Sequence, residues 1–406
     1  MELSQTEPVA SAALSRASEV SGLYVHVPFC AHKCEYCAFY SHLPGGDQVD
    51  RYVAALIREM EMAAHGVRPQ TVFFGGGTPS ILNLRQWEKV LTAMQRLDLL
   101  GAQEWTVECN PATVSLDKAK LLREFGVNRI SMGVQSLDTT LLERLGRIHS
   151  RETVFKSFDI LRAAGFDNVN IDLMFAIPGQ TMEVWEKTMT EAFALGSEHV
   201  SCYEVIYEDD TPLYAQLQAG EFDLDEELAC DMYERLVQRS AENGWTRYEV
   251  ANFARGALGA DGVPALACRH NTHYWRGRFV LALGPSAAGY IPANDSRLGD
   301  RTRNWANTTM YCEQLEKGKL PLESREILSE KDRLGELAAF GLRMPVGWGW
   351  GEFFELTGCD LREQWGTEIA DLQKRGWAEV DEVGFRLNAQ GIRFADSAGE
   401  LFLRPE

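Results

Sequence analysis

Leu23-Tyr-Val-His-Val-Pro-Phe-Cys30-Ala-His-Lys-Cys34-Glu-Tyr-Cys37 is the stretch on which the reading of this chain turns. It opens with five residues of strand composition, 23–27, and runs straight into three cysteines spaced C-x3-C-x2-C. Three thiolates this close together can hold three irons of a 4Fe–4S cube, one short of full cysteine ligation. The fourth iron is then left for an exogenous ligand. A zinc site competes, with His26 or His32 near enough in sequence to complete four ligands. Free cysteines packed as small hydrophobes are the third reading. Disulfides need an oxidising compartment, and nothing in the sequence signals one.

Working outward, short apolar runs alternate with segments of helical pattern. Strands are predicted at 23–27, 71–74, 105–109, 129–132, 169–174 and 200–206. Helices are predicted at 50–64, 116–125, 137–145, 150–164 and 182–195. Such alternation implies a parallel sheet with right-handed crossovers. Six units make an α/β partial (β/α)6 barrel, whose site is expected at the C-terminal ends of the strands. Residues 21–220 are assigned to this barrel. From 221 the pattern changes to a helix at 225–243, Tyr248-Glu249-Val250, and an aromatic and glycine-dense stretch from 270 to 290. Residues 221–323 are assigned to a cap. Residues 324–406 read as a smaller α+β region with a winged-helix-like end, its hairpin at 376–380 and 384–387. Residues 1–20 read as a disordered Ser/Ala/Glu-rich tail, without the basic start and apolar run of a signal peptide.

The composition bounds the function. The chain has 406 residues, 45% hydrophobic and 24% charged, with a net charge of −19. That balance argues against a nucleic-acid groove, which needs clustered Lys and Arg. No run approaches the ~18 apolar residues of a membrane span, and the expected location is the cytoplasm. The other cysteines, Cys109, Cys202, Cys230, Cys268, Cys312 and Cys359, are scattered and read as small hydrophobes.

Candidate site residues gather on the predicted strand ends. Gly75-Gly76-Gly77-Thr78-Pro79 follows the second strand and offers bare backbone for close approach. Glu108 ends the third strand, Gln135 follows the fourth, Asp172 lies in the fifth, and Arg147 lies beyond Gln135. A carboxylate at a barrel mouth can hold ribose hydroxyls, and an arginine can clamp a carboxylate.

Together, Tyr24-Val-His-Val-Pro-Phe-Cys30, the cysteine loop, the GGGTP run, Glu108-Cys-Asn-Pro111, Gly133-Val-Gln135 and Asn170-Ile-Asp-Leu173 resemble the radical S-adenosylmethionine (SAM) family of oxygen-independent coproporphyrinogen III oxidase and its relatives. The resemblance implies a cluster on Cys30, Cys34 and Cys37, with S-adenosylmethionine on its open iron. It puts Tyr24 beside that cosubstrate, the backbone of Gly75, Gly76, Gly77 and Thr78 near its amino group, and Glu108, Gln135, Arg147 and Asp172 on its polar groups. Within the family, Phe39 stands where the true oxidase carries a further cysteine, and so resembles the heme chaperone branch, HemW. Arg269-His-Asn-Thr-His-Tyr-Trp275, Leu283-Gly-Pro-Ser-Ala287 and Tyr248-Glu-Val-Ala-Asn-Phe-Ala254 resemble the same branch. Ala282, Ala288 and Gly289 depart from its usual residues.

That branch implies heme as a further cofactor, carried by the 221–323 region. His270 is the candidate axial ligand, since a neutral imidazole suits iron. Tyr274 and Trp275 are candidates to stack on the porphyrin, and Cys268 is a second candidate ligand. The implied partners are heme-accepting respiratory proteins; a homodimer and transient contact with a membrane protein are left open. The rival expectation is a radical SAM enzyme, either an oxidase decarboxylating coproporphyrinogen III or a class C methyltransferase.

Overall fold

The computed structural model describes residues 16–293 and 298–403. The strands are β1 (Gly22–Val27), β2 (Thr71–Gly76), β3 (Glu104–Cys109), β4 (Arg129–Gln135), β5 (Val169–Phe175), β6 (His199–Glu204), β7 (Thr246–Arg247), β8 (Asn252–Ala254), β9 (Val280–Leu283), β10 (Ala288–Ile291), β11 (Asp300–Asn304) and β12 (Leu322–Glu326). They form one sheet in the order β12-β11-β10-β9-β1-β2-β3-β4-β5-β6-β8-β7. β1 to β6 run parallel in sequence order, and β9 joins them in parallel beside β1. The other strands are antiparallel additions at the two edges. The sheet is a partial barrel, extended on both sides by residues of the 221–323 region, and β12 runs past the expected boundary, so that Ser324–Glu326 pair in this sheet rather than in the C-terminal region.

The parallel strands are buried on both faces. In β4, β5 and β6, however, only the helix-covered face is uniformly apolar, and the inward face carries polar residues such as Ser131, Asn170, Asp172 and Ser201. Helices pack on the outer face, where Trp87 meets Phe74 at 5.2 Å and Trp185 meets Phe175 at 5.9 Å between ring centroids. Their starts are fixed by side chains that accept the orphan N–H groups of the first turn: Asn83 in a capping box with Gln86, then Ser150, Thr181 and Asp225. The short helix Arg269–Trp275 lies against the inner face at the N-terminal ends of β2 and β3. The Glu104 carboxylate there accepts the backbone N–H of Arg269 at 2.8 Å and of His270 at 2.9 Å.

The C-terminal region is α+β with a core of its own. Leu337, Trp348, Phe353, Leu361, Phe385 and Phe402 are buried together. A small sheet of β13 (Trp348–Gly349), β14 (Ala378–Val380) and β15 (Gly384–Leu387) runs in the order β13-β15-β14. The expected hairpin is there, and the Asp381 carboxylate accepts the N–H groups of Val383 and Gly384 in its turn.

One reading is corrected at the start of the chain. Residues 1–15 of the expected tail lie outside the described residues, but Ala17–Glu19 form a 3-10 turn. Ala17 and Val20 are buried in the main core. Two small apolar residues among polar ones carry no periodic signal, so only packing reveals them.

Candidate functional site

Each parallel strand delivers its chemistry at its C-terminal end, and these ends surround a cavity of about 480 Å³. β1 leads into the cysteine loop. Cys30 N–H donates to the His42 carbonyl at 3.1 Å, and Glu35 N–H donates to the Leu145 carbonyl at 3.1 Å, so both ends of the loop are anchored. The three thiols are half-buried, free and on the cavity wall. Donors are aimed at two of them. The Thr78 hydroxyl reaches the Cys30 sulfur at 3.4 Å, and the Arg147 Nη1 reaches the Cys34 sulfur at 3.5 Å. Burial pushes the Cys37 thiol up from its ordinary value, with Lys33 opposing.

The glycine run ends β2. Gly76 has φ +103°, and a Cβ there would lie 2.5 Å from the His26 ring. At Gly77 a Cβ would lie 2.7 Å from the Phe29 carbonyl oxygen. Only glycine lets this strand end pass under the cysteine loop. β4 ends in an irregular register between Gly133 and Gln135, and Gln135 adopts φ +67°. The bulge turns the amide toward the cavity, and strain of this kind is kept where a site uses it.

Two carboxyl groups sit on the facing wall. Burial, and then the charge of Asp172, push Glu108 up to about 8. Burial also raises Asp172, while Asn170, Arg129, Ser201 and Ser131 pull it back. Arg147 donates to the Gly133 carbonyl. Burial works against its charge, but Tyr36, Cys34 and Asp172 keep its pKa above the ordinary value.

Of the expected residues, Cys30, Cys34, Cys37, Phe39, Gly76, Gly77, Thr78, Glu108, Gln135, Arg147 and Asp172 all line this one cavity. Gly75 lies just behind it, where a Cβ would come within 3.1 Å of the Glu108 carboxyl. Tyr24 lies below, donating to or accepting from His26 Nδ1 at 3.1 Å. His270, Tyr274 and Trp275 are not at the cavity. His270 is 2% exposed, stacks on Phe73 at 5.2 Å and meets Thr71 Oγ1 through Nδ1 at 2.9 Å. Its Nε2 is buried without a hydrogen-bond partner. Burial, then His273 and Arg129, push its pKa down to about 3, so it is neutral. Tyr274 packs edge-on against His270, and Trp275 packs under Arg343 at 4.9 Å and beside Phe340.

Cavity residues the sequence reading missed include Tyr36, Ser131, Met174, Tyr203 and Ile206. Period-two alternation marks several of them, since Ser131, Gly133 and Gln135 share a face of β4, as Asp172 and Met174 do on β5. The mouth is apolar: Phe39 is 71% exposed, Ile206 66% and Ile148 53%.

The donor set fits a four-iron cluster better than a lone zinc ion. Among the described residues no three His, Cys, Asp or Glu side chains converge on one ion position. A cube does not require convergence, because each iron takes its own thiolate. His26 is not a spare ligand, because its two ring nitrogens meet Tyr24 and the Tyr40 carbonyl. The Arg147 Nε, buried beside the cavity, has no hydrogen-bond partner in the protein, and the glycine cradle is backbone that a small molecule can approach.

The family model described as the radical SAM superfamily matches residues 24–192, and that of the HemN C-terminal domain matches 328–394. The fold is that of a radical SAM protein. The solved structure of the coproporphyrinogen III oxidase HemN from Escherichia coli superposes with a TM-score of 0.82 at 22% identity, over 96% of this chain and 92% of that one. A heme chaperone HemW from Lactococcus lactis is 34% identical, covering 94% of this chain and 96% of the relative. A protein of the same name from Bacillus subtilis is 34% identical over 94% and 98%. The chain belongs to the HemW family of radical SAM proteins.

Proposed function

We propose that this chain binds a 4Fe–4S cluster through Cys30, Cys34 and Cys37, takes S-adenosylmethionine at the open iron, binds heme, and passes that heme to acceptor proteins. The observation that carries the reading is the cavity itself, which gathers the three thiols, Arg147 beside Cys34, and Glu108, Gln135 and Asp172 from the neighbouring strand ends. When bound, such a cluster supplies one-electron chemistry and a site that chelates amino and carboxylate groups. The residues present do the rest. Thr78 and Arg147 aim donors at the Cys30 and Cys34 sulfurs, as charge-bearing sulfurs would need. Arg147 suits the cosubstrate carboxylate, and Asp172 and Gln135 suit its hydroxyls.

Heme transfer rests on the names of the relatives and on the strings around His270. The unpartnered Nε2 of that histidine is the nitrogen an iron needs. On this reading heme reaches it only when the helix Arg269–Trp275 moves off β2 and β3. Residues 21–220 then carry cluster and cosubstrate, 221–323 the heme contacts, and 324–406 a separate accessory role. Respiratory heme proteins are the proposed acceptors, and the cytoplasm the proposed location. Among the described residues no helix is long and apolar enough to cross a membrane.

The test is anaerobic cluster reconstitution followed by heme titration and a coproporphyrinogen III assay on the same sample. Stoichiometric heme without decarboxylation is expected. Turnover to protoporphyrinogen IX would instead make the chain an oxidase in which Phe39 is no barrier.

A further inference from the structure

Behind Asp172 the barrel interior holds a run of polar side chains that the cosubstrate reading does not use. The Asn170 Nδ2 donates to the Asp172 Oδ1 at 2.6 Å and to the Ser131 hydroxyl at 2.7 Å. The Ser131 hydroxyl donates to the Asp172 Oδ2 at 3.2 Å. The Asn170 Oδ1 lies 2.6 Å from the His199 Nδ1 and 3.1 Å from the Ser201 hydroxyl. The His199 Nε2 lies 2.7 Å from the Tyr248 hydroxyl, which in turn accepts the backbone N–H of Cys268 at 3.1 Å. Asn170, His199, Ser201 and Tyr248 are all buried.

The two ends of this run fix its direction. A carboxylate only accepts, so Asn170 turns its NH2 toward Asp172 and its oxygen toward His199. That oxygen only accepts, so His199 carries its proton on Nδ1 and presents a lone pair at Nε2. A backbone N–H only donates, so the Tyr248 oxygen receives from Cys268 and its own proton is free to point at Nε2. Every link then donates toward the cavity, and such chains polarise one another.

We propose that Asn170 and His199 are positioning residues for Asp172: a one-way chain of donors from Cys268 through Tyr248, His199 and Asn170 holds its carboxylate in one orientation, as a pure acceptor facing the cosubstrate. This rests on the assignment of Asp172 to S-adenosylmethionine. It also ties the cavity to the residue that starts the helix carrying His270. The chain fixes His199 as the neutral Nδ1–H tautomer.

The test uses cluster-loaded protein, with S-adenosylmethionine affinity measured by calorimetry for the native chain, Asp172→Asn, His199→Phe and His199→Gln. His199→Phe removes the donor to Asn170 and should weaken affinity about tenfold, the scale of one hydrogen bond to a charged network. Iron content should not change. His199→Gln returns an N–H and should recover most of the loss, which a merely structural role does not predict. Native affinity in both His199 variants, with Asp172→Asn weakened, overturns the proposal. Native affinity in Asp172→Asn instead overturns the cosubstrate assignment. Should His199→Phe fail to fold, 15N shifts of labelled histidine decide. An Nδ1–H signal for His199, altered in Tyr248→Phe, supports the chain, and an Nε2–H signal overturns it.

Discussion

The two ends of the barrel are lined by equally distinctive strings of sequence, yet they are opposite in character. At the mouth, the cysteine loop and the strand ends enclose open space, and apolar side chains such as Phe39 stand in solvent. At the bottom, the helix Arg269–Trp275 closes the interior, and His270 is packed between Phe73, Tyr24 and Tyr274. The mouth keeps polar groups under-satisfied and reachable. The bottom satisfies most of its polar groups internally and excludes solvent. A motif at the mouth can therefore serve a ligand as it stands, whereas a motif at the bottom serves one only if packing opens.

The largest expected effect is at the mouth. Replacing Cys30, Cys34 and Cys37 together by Ala should abolish cluster iron and sulfide outright. The thiols are only half-buried, so the stability of the cluster-free protein should change by less than about 1 kcal/mol. Retained iron and sulfide in the triple variant would break the assignment. Gly76→Ala comes next. It places a Cβ 2.5 Å from the His26 ring at φ +103°. The added strain and clash should cost about 2–4 kcal/mol, read by denaturant melts, and cosubstrate binding should fall with it.

His270→Ala tests the bottom. Loss of a buried, stacked ring should cost about 2–3 kcal/mol. If heme affinity falls while chemical melts show the remaining protein folded, the helix opens to admit heme. An unchanged Soret band and affinity would make the bottom purely structural and move the heme seat elsewhere.

The same contrast explains what the sequence made legible. The six barrel strands were readable because each is a short run with apolar residues at least at every second position, set between segments of helical pattern. The cysteine loop was readable because ligand spacing is local. The placement of β9 beside β1 was not, since Val280 pairs with Gly22 across most of the chain and no local pattern encodes that partner. Nor was it visible that the region after β6 would extend both sheet edges. For the site, the residues at strand ends were found by position, whereas Ser131 and Tyr203 required knowing which face of each strand turns inward. The string around His270 was legible as a motif, but its sealed setting depends on Glu104 and Thr71, which hold it from two other strands.

The subtlest test, read as a slope in pH rather than as a loss, sharpens the comparison through titration. Glu108 at the mouth is raised from 4.5 to about 8, chiefly by burial. The folded state therefore holds a proton that the unfolded chain has released, and this contribution to stability, present below pH 4.5, is lost as pH rises toward 8. His270 at the bottom is lowered from 6.5 to about 3, again chiefly by burial. There the unfolded chain binds the proton first, so the contribution present above pH 6.5 is lost as pH falls toward 3. The two slopes have opposite signs, each at most about 1.4 kcal/mol per pH unit. They oppose one another between 4.5 and 6.5. Melts of the cluster-free protein across pH 3–8 should thus separate them, with Glu108→Gln flattening the fall above pH 6.5 and His270→Gln flattening the loss below 4.5. If the Glu108→Gln difference from the native chain shows no pH dependence above 6.5, the mouth carboxyl is already solvated, and the mirrored titration of mouth and bottom fails at that residue.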